Sequence, residues 1–258
     1  MPIFSKETYN IFSWLYVKFY SNSYFFLDYW IILQSISTIF IFFLIKSYKV
    51  SKPITITLVL LTIWELIEFV AKPFVPTQFI SDSNIIHQLI DLIVSILTIF
   101  LFNFLFAKFK SHKYSDYLFR GLTSFINSFT ISFLWVGFYG YHYSQEGFNW
   151  EGLNWWAFFL WFVGANFIGT YFDLYRKKWS YLKSMSIVYA FYFPILLFVE
   201  YLGRFVLYIQ EVSNPAHKPL IFGLIYGNNI LHFVYMTMPI IITTLFYLIK
   251  LMINRMNK

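Results

Sequence analysis

The chain contains no cysteine, which excludes disulfides, zinc thiolate sites, iron-sulfur clusters and cysteine nucleophiles. Charge is almost as scarce: Asp, Glu, Lys and Arg make up 12% of the 258 residues, against 59% hydrophobic. A soluble domain of this size would not have enough polar surface to cover itself. The signatures of common soluble sites are missing too, with no Walker phosphate loop, no Gly-x-Gly-x-x-Gly, no His-Glu-x-x-His and no Gly-x-Ser-x-Gly. What the chain does have is a mean hydropathy of +0.62 and 34 Phe, 21 Tyr and 9 Trp. Such aromatics suit lipid tails and the two interfacial belts of a bilayer, although drift of an AT-rich genome accounts for the excess equally well.

Seven apolar stretches lie near or above the roughly 20 residues that a spanning helix needs. They are residues 24–44, 53–70, 85–107, 117–140, 155–175, 181–202 and 219–249. The expected fold class is therefore all-α, a polytopic integral membrane helix bundle of about seven transmembrane helices, with bends at Pro194 and Pro239. Residues 1–23 lack the charged n-region and cleavage site of a signal peptide and read as an interfacial segment, most simply a helix. Residues 24–250 then form the transmembrane domain, and 251–258 a short basic tail.

Orientation follows from the basic residues. Lys46, Lys49 and Lys52 follow the first stretch, and Lys108, Lys110, Lys113 and Arg120 follow the third. Arg176, Lys177, Lys178 and Lys183 follow the fifth, and Lys250, Arg255 and Lys258 the seventh. The other side has only Lys6, Lys18, Lys72, Arg204 and Lys218. By the positive-inside rule the N-terminus lies outside and the C-terminus in the cytoplasm of a bacterial-type plasma (inner) membrane. The formal net charge of +7 is thus a topology signal. The expected partners are membrane lipids, with no nucleic acid and an open oligomeric state.

Ionisable side chains at membrane depth are expensive and survive where they face a bundle interior, bind an ion or move a proton. Glu65 and Glu68 lie roughly 18 and 22 Å up the second stretch, at about 1.5 Å per residue. His87 and Asp91 lie roughly 5 and 10 Å below the outer end of the third. All four occupy one slab in the outer half, and the i, i+3 and i, i+4 spacings put each pair on one helix face. Asn228, Asn229 and His232, Glu200 and Arg204, Asn166 and His142 reach comparable depths, while the inner half shows only Asn103 and Asp173. A carboxylate and imidazole set of this kind suits zinc, manganese or iron with an open position for water. The expected metal ligands are Glu65, Glu68, His87, Asp91 and His232, and the expected catalytic acid/base groups Glu65, Glu68, Asp91 and Glu200. The plainer alternatives are that the glutamates knit helices together, that Glu200 and Arg204 form an interfacial ion pair, and that Asn228 and His232 hydrogen-bond across helices.

The run Trp64-Glu65-Leu66-Ile67-Glu68-Phe69, followed by His87 and then Asp91-Leu92, resembles a pattern in the YjdF-like bacterial inner-membrane proteins, in which a Trp-Glu-x-x-Glu-Phe helix precedes two acidic residues four apart. His87 stands here where that family has the first acid. The resemblance covers about thirty residues, from 64 to 92; it implies a polar membrane site and no particular activity. The seven-span topology is also similar to that of alkaline-ceramidase-type membrane hydrolases, whose His-x-x-x-His has Asn228-x-x-x-His232 as its nearest counterpart.

Three functional classes remain open. One is a metal-assisted membrane enzyme acting on a lipid or isoprenoid-like molecule. The others are a proton- or cation-coupled transporter using the same carboxylates and a structural membrane subunit.

Overall fold

The computed structural model describes residues 13–21, 26–71, 85–110, 115–145, 149–209, 218–227 and 229–257. They form an all-α polytopic bundle with three small hairpins. The helices are α1 (Tyr29–Ser47), α2 (Pro53–Ala71), α3 (Ile85–Lys110), α4 (Ser115–Tyr139), α5 (Trp155–Arg176), α6 (Tyr181–Tyr201) and α7 (Asn229–Asn257). All but α2 have a described stretch long and apolar enough to cross a membrane. The apolar stretch found in α2 is shorter, Pro53–Ile67. The protein is thus a multi-pass integral membrane protein. The chain divides into two compact units, residues 1–119 with 251–258, and residues 120–250.

Helix ends follow local chemistry. Asp28 caps α1 by accepting from the Ile31 amide at 3.3 Å, and Asn154 caps α5 by accepting from Ala157 at 3.0 Å; both satisfy amides that the first helical turn leaves open. Pro53 opens α2, where its missing N–H is no loss. Gly140 ends α4 with φ +62°, and its amide returns to Val136 at 2.9 Å, a stop that a residue with a side chain rarely makes.

In the first unit a 3₁₀ turn, Ser13–Tyr16, leads into β1 (Lys18–Ser21), which pairs antiparallel with β2 (Phe26–Asp28). The described part of the N-terminal segment is therefore a turn and a hairpin, not the expected helix. Behind it α1 packs against both α2 and α3, around a core that includes Tyr29, Phe42, Phe43, Ile99 and Phe106. Phe43 meets Phe106 edge-on at 4.8 Å between ring centroids.

In the second unit β3 (Asn149–Trp150) and β4 (Leu153–Asn154) form a tight hairpin across Glu151 and Gly152, both at positive φ, as a two-residue loop that keeps the strand twist requires. Ala165, Ile168 and Phe172 of α5 pack with Met185, Val188 and Tyr192 of α6 and Met238 and Ile242 of α7. Helices α6 and α7 run through Pro194 and Pro239 without interruption. Residues Leu202–Val206 continue α6 as a π-helical turn. The last apolar stretch is shorter at its start than expected: β5 (Lys218–Leu220) and β6 (Ile225–Gly227) pair with each other, and the spanning helix begins only at Asn229.

Candidate functional site

Two polar arrangements emerge in the first unit, both held against α1. At its start, Nε2 of His87 lies 3.9 Å from an Asp28 carboxylate oxygen and 3.7 Å from one of Asp91. All three side chains are buried. Phe26 stacks on the imidazole at 4.1 Å, and the Lys18 ammonium sits 4.3 Å from the centroid of the Phe26 ring, a cation–π geometry. Hairpin pairing places Lys18 opposite Asp28. Burial raises the Asp28 carboxyl from its ordinary 3.8 to about 6, against the lowering effect of its backbone hydrogen bonds and of Lys18. Six residues further along α1, the Gln34 amide donates to Glu65 of α2 at 2.6 Å.

The sequence brought Glu65, His87 and Asp91 together as one four-point site with Glu68. In the structure His87 lies beside both Asp28 and Asp91, and Glu65 accepts from Gln34. The Glu68 side chain lies outside the described residues, as does Asn228. His232 belongs to the second unit, where its Nε2 is 3.2 Å from the Ile225 carbonyl oxygen. Among the described residues, no group of three or more His, Cys, Asp or Glu side chains is placed to hold a metal ion. Asp28 and Gln34 are the functional candidates that sequence reasoning missed. The available signal was an acid at the start of an apolar run and a glutamine within it.

In the second unit a groove of about 600 Å³ runs along α5 and α6. Its floor and walls include Trp156, Leu160, Gly164, Phe167 and Tyr171 of α5 and Val188, Phe191, Ile195 and Val199 of α6. From Trp156 to Tyr171 it extends roughly 22 Å along the helix axis, more than the roughly 15 Å of one leaflet's hydrocarbon. Val163 on its edge is 63% exposed and Phe159 57%, so the groove is open along one side of α5. At one end it becomes polar, with Glu200, Arg204, Tyr141 and Tyr143 in its lining. The Tyr141 hydroxyl accepts from the indoles of Trp135 at 2.8 Å and Trp161 at 3.0 Å. Burial holds the Tyr141 phenol well above its usual range, so it remains a neutral donor and acceptor.

The interior of the second unit is more polar than the sequence suggested. Asp173 binds Lys250 and lies 3.7 Å from Arg120, a cluster that ties α4, α5 and α7. The Ser124 hydroxyl donates to the Asn166 side chain at 2.9 Å, and the Asn127 amide donates to the Ile242 carbonyl at 3.2 Å. Thr123, Ser124, Asn127, Ser128 and Ser132 are all buried on α4. Small polar residues of this kind let membrane helices approach and bond one another.

No family model matches the chain, and no curated protein or solved structure matches it either.

Proposed function

We propose that this multi-pass membrane protein takes a chain-bearing amphiphile, a lipid or an isoprenoid-like molecule, into the groove between α5 and α6, and acts on its polar end with Glu200 as the acid/base group. The observation that carries this reading is the groove itself, apolar and aromatic along its length, open along one side, and polar only where Glu200 and Arg204 stand. A volume of about 600 Å³ lies within the range of small-molecule sites, which are mostly apolar with a few orienting polar groups. A long chain would lie along α5, and its headgroup would meet a carboxylate, a guanidinium and two tyrosines. In this reading the N-terminus is outside, the C-terminus is cytoplasmic and the membrane is a bacterial-type plasma membrane. Of the expected metal ligands Glu65, Glu68, His87, Asp91 and His232, the described ones form no metal-holding group, and this reading places the acid/base role on Glu200.

The test uses Gly164. Gly164 lines the groove and a Cβ there meets nothing within 4 Å, so a side chain at this position starts into the space that a ligand would fill. The protein in nanodiscs should retain a defined amphiphile through delipidation, detected by mass spectrometry of the extract. The Gly164→Phe variant should lose at least tenfold of it, while Glu200→Gln should retain it and fail to convert it. An extract matching the bulk lipid composition, unchanged in Gly164→Phe, would overturn the reading.

A further inference from the structure

The face that α3 turns toward α1 carries His87, Asp91, Ser95, Ile99 and Asn103, one residue every four. Residues so spaced stack along one side of a helix. Helix α1 answers with a series of its own. Asp28 lies against His87, and Thr38 donates to Ser95 at 3.4 Å. Lys46 donates to Asn103 at 2.9 Å. Between the first two of these rungs Gln34 reaches Glu65 of α2. The polar residues therefore recur as rungs along the first unit, with an apolar gap before the last. The gap is filled by Phe42, Phe43 and Ile99, which are 0%, 0% and 1% exposed. Ser95 and Asn103 are roughly 12 Å apart along the axis of α3 across it.

We propose that the first unit is a proton relay, closed in this state. A proton enters at Asp28, His87 and Asp91, passes by way of Glu65 with Gln34 and then Thr38 with Ser95, and is stopped by the layer of Phe42, Phe43 and Ile99 before the Lys46–Asn103 rung. The step is proton movement alone, with no bond other than O–H and N–H made or broken. Each rung supplies groups that both give and accept protons or orient the water that does so. The Gln34 Oε1 atom is buried and accepts no hydrogen bond among the described residues, which leaves an acceptor for a bridging water in the middle of the series. A purely structural ladder has no need of three titratable groups at one end of it. The charged and titratable groups that face this end are Lys18 from β1, Asp28 before α1, Glu65 from α2, and His87 and Asp91 from α3. The relay is independent of the groove in the second unit and stands or falls without it.

The test needs no knowledge of a transported solute, because shortening the apolar layer should turn the closed relay into a leak. The full chain is reconstituted in liposomes containing a pH-sensitive dye, with an imposed pH gradient and a potassium clamp. Phe43→Ala and Ile99→Ala should each admit protons at least tenfold faster than the unaltered protein. Adding Asp91→Asn or Ser95→Ala to either should restore tightness. Folded, monodisperse variants that stay as tight as the unaltered protein would overturn the proposal, and so would a leak that persists with Asp91→Asn. Should neither layer variant fold, the milder Phe42→Leu and Ile99→Val decide: either should leak faster than the unaltered protein, and folded variants that both stay tight overturn the proposal.

Discussion

Asp28 does two jobs that a single substitution separates. Its side chain caps α1 through the Ile31 amide, and asparagine caps a helix as well as aspartate does. Its carboxyl titrates near 6 in the folded protein against an ordinary 3.8, because burial penalises the anion. The folded state therefore binds a proton that the unfolded chain does not between about pH 4 and pH 6, so stability rises as pH falls through that window and is reduced above it. The shift corresponds to about 3 kcal/mol at most. Asp28→Asn should accordingly be more stable than the unaltered protein at pH 7.5 and should lose the gain seen on acidification to pH 4.5, as read from thermal unfolding in detergent. A variant with the same pH profile as the original would mean that Asp28 is not the group that titrates. The residue was legible in principle: an acid directly before Tyr29-Trp30-Ile31 is a helix-start signal. Charges well inside the apolar stretches stand out more strongly in the sequence, and neither composition nor spacing shows which helix they face.

Helix α5 contains two glycines whose surroundings give the same substitution opposite signs. At Gly164 a methyl group meets open space, and replacing an interior helical glycine with alanine stabilises by roughly 0.5–1 kcal/mol. At Gly169 the methyl would stand 2.9 Å from Cδ2 of Phe246, a ring that is itself buried on α7, and overpacking of this kind costs about 1–3 kcal/mol. Gly164→Ala should therefore raise the unfolding temperature and Gly169→Ala lower it, and equal shifts in one direction would contradict the packing of α5 on α7. Element boundaries were legible from sequence where hydropathy changes sharply, as at Pro53 and at Arg176. They were not legible at 219–227, where a strand pair replaces the start of the last helix. The run Pro219-Leu-Ile-Phe-Gly-Leu-Ile-Tyr-Gly is apolar enough for either structure, and a short apolar run does not distinguish them. Phe222 and Gly223 at positive φ turn the chain there, and Pro219 sits in a two-stranded sheet, where each strand is an edge and can forgo an amide bond. The buried hydroxyls and amides of α4 are hidden for a different reason: Ser, Thr and Asn barely lower the hydropathy of a span, although Ser124, Ser128 and Ser132 repeat every four residues.

For the whole molecule, the number of crossings depends on α2. Its 19 residues rise roughly 28 Å, close to the roughly 30 Å of a hydrocarbon core, yet its described apolar part ends at Ile67. If α2 crosses, three crossings separate the loop at Ser51 from the hairpin at Asn149, and the two lie on opposite sides. If α2 lies along the surface, two crossings separate them and they share a side. The absence of native cysteine makes this directly measurable, because Ser51→Cys and Asn149→Cys each introduce the only thiol in the chain, at positions that are exposed. The basic residues Lys49 and Lys52 flank Ser51, whereas Glu151 lies beside Asn149, so the positive-inside rule assigns Ser51 to the cytoplasm. A membrane-impermeant maleimide applied to intact cells should label Asn149→Cys at once and Ser51→Cys only after permeabilisation. Labelling of both from the same side would reduce the crossings to six and move Glu65 to the membrane surface, leaving the relay without its second rung. Labelling in the reverse pattern would keep seven crossings and invert the protein, so that its titratable end would take protons from the cytoplasm.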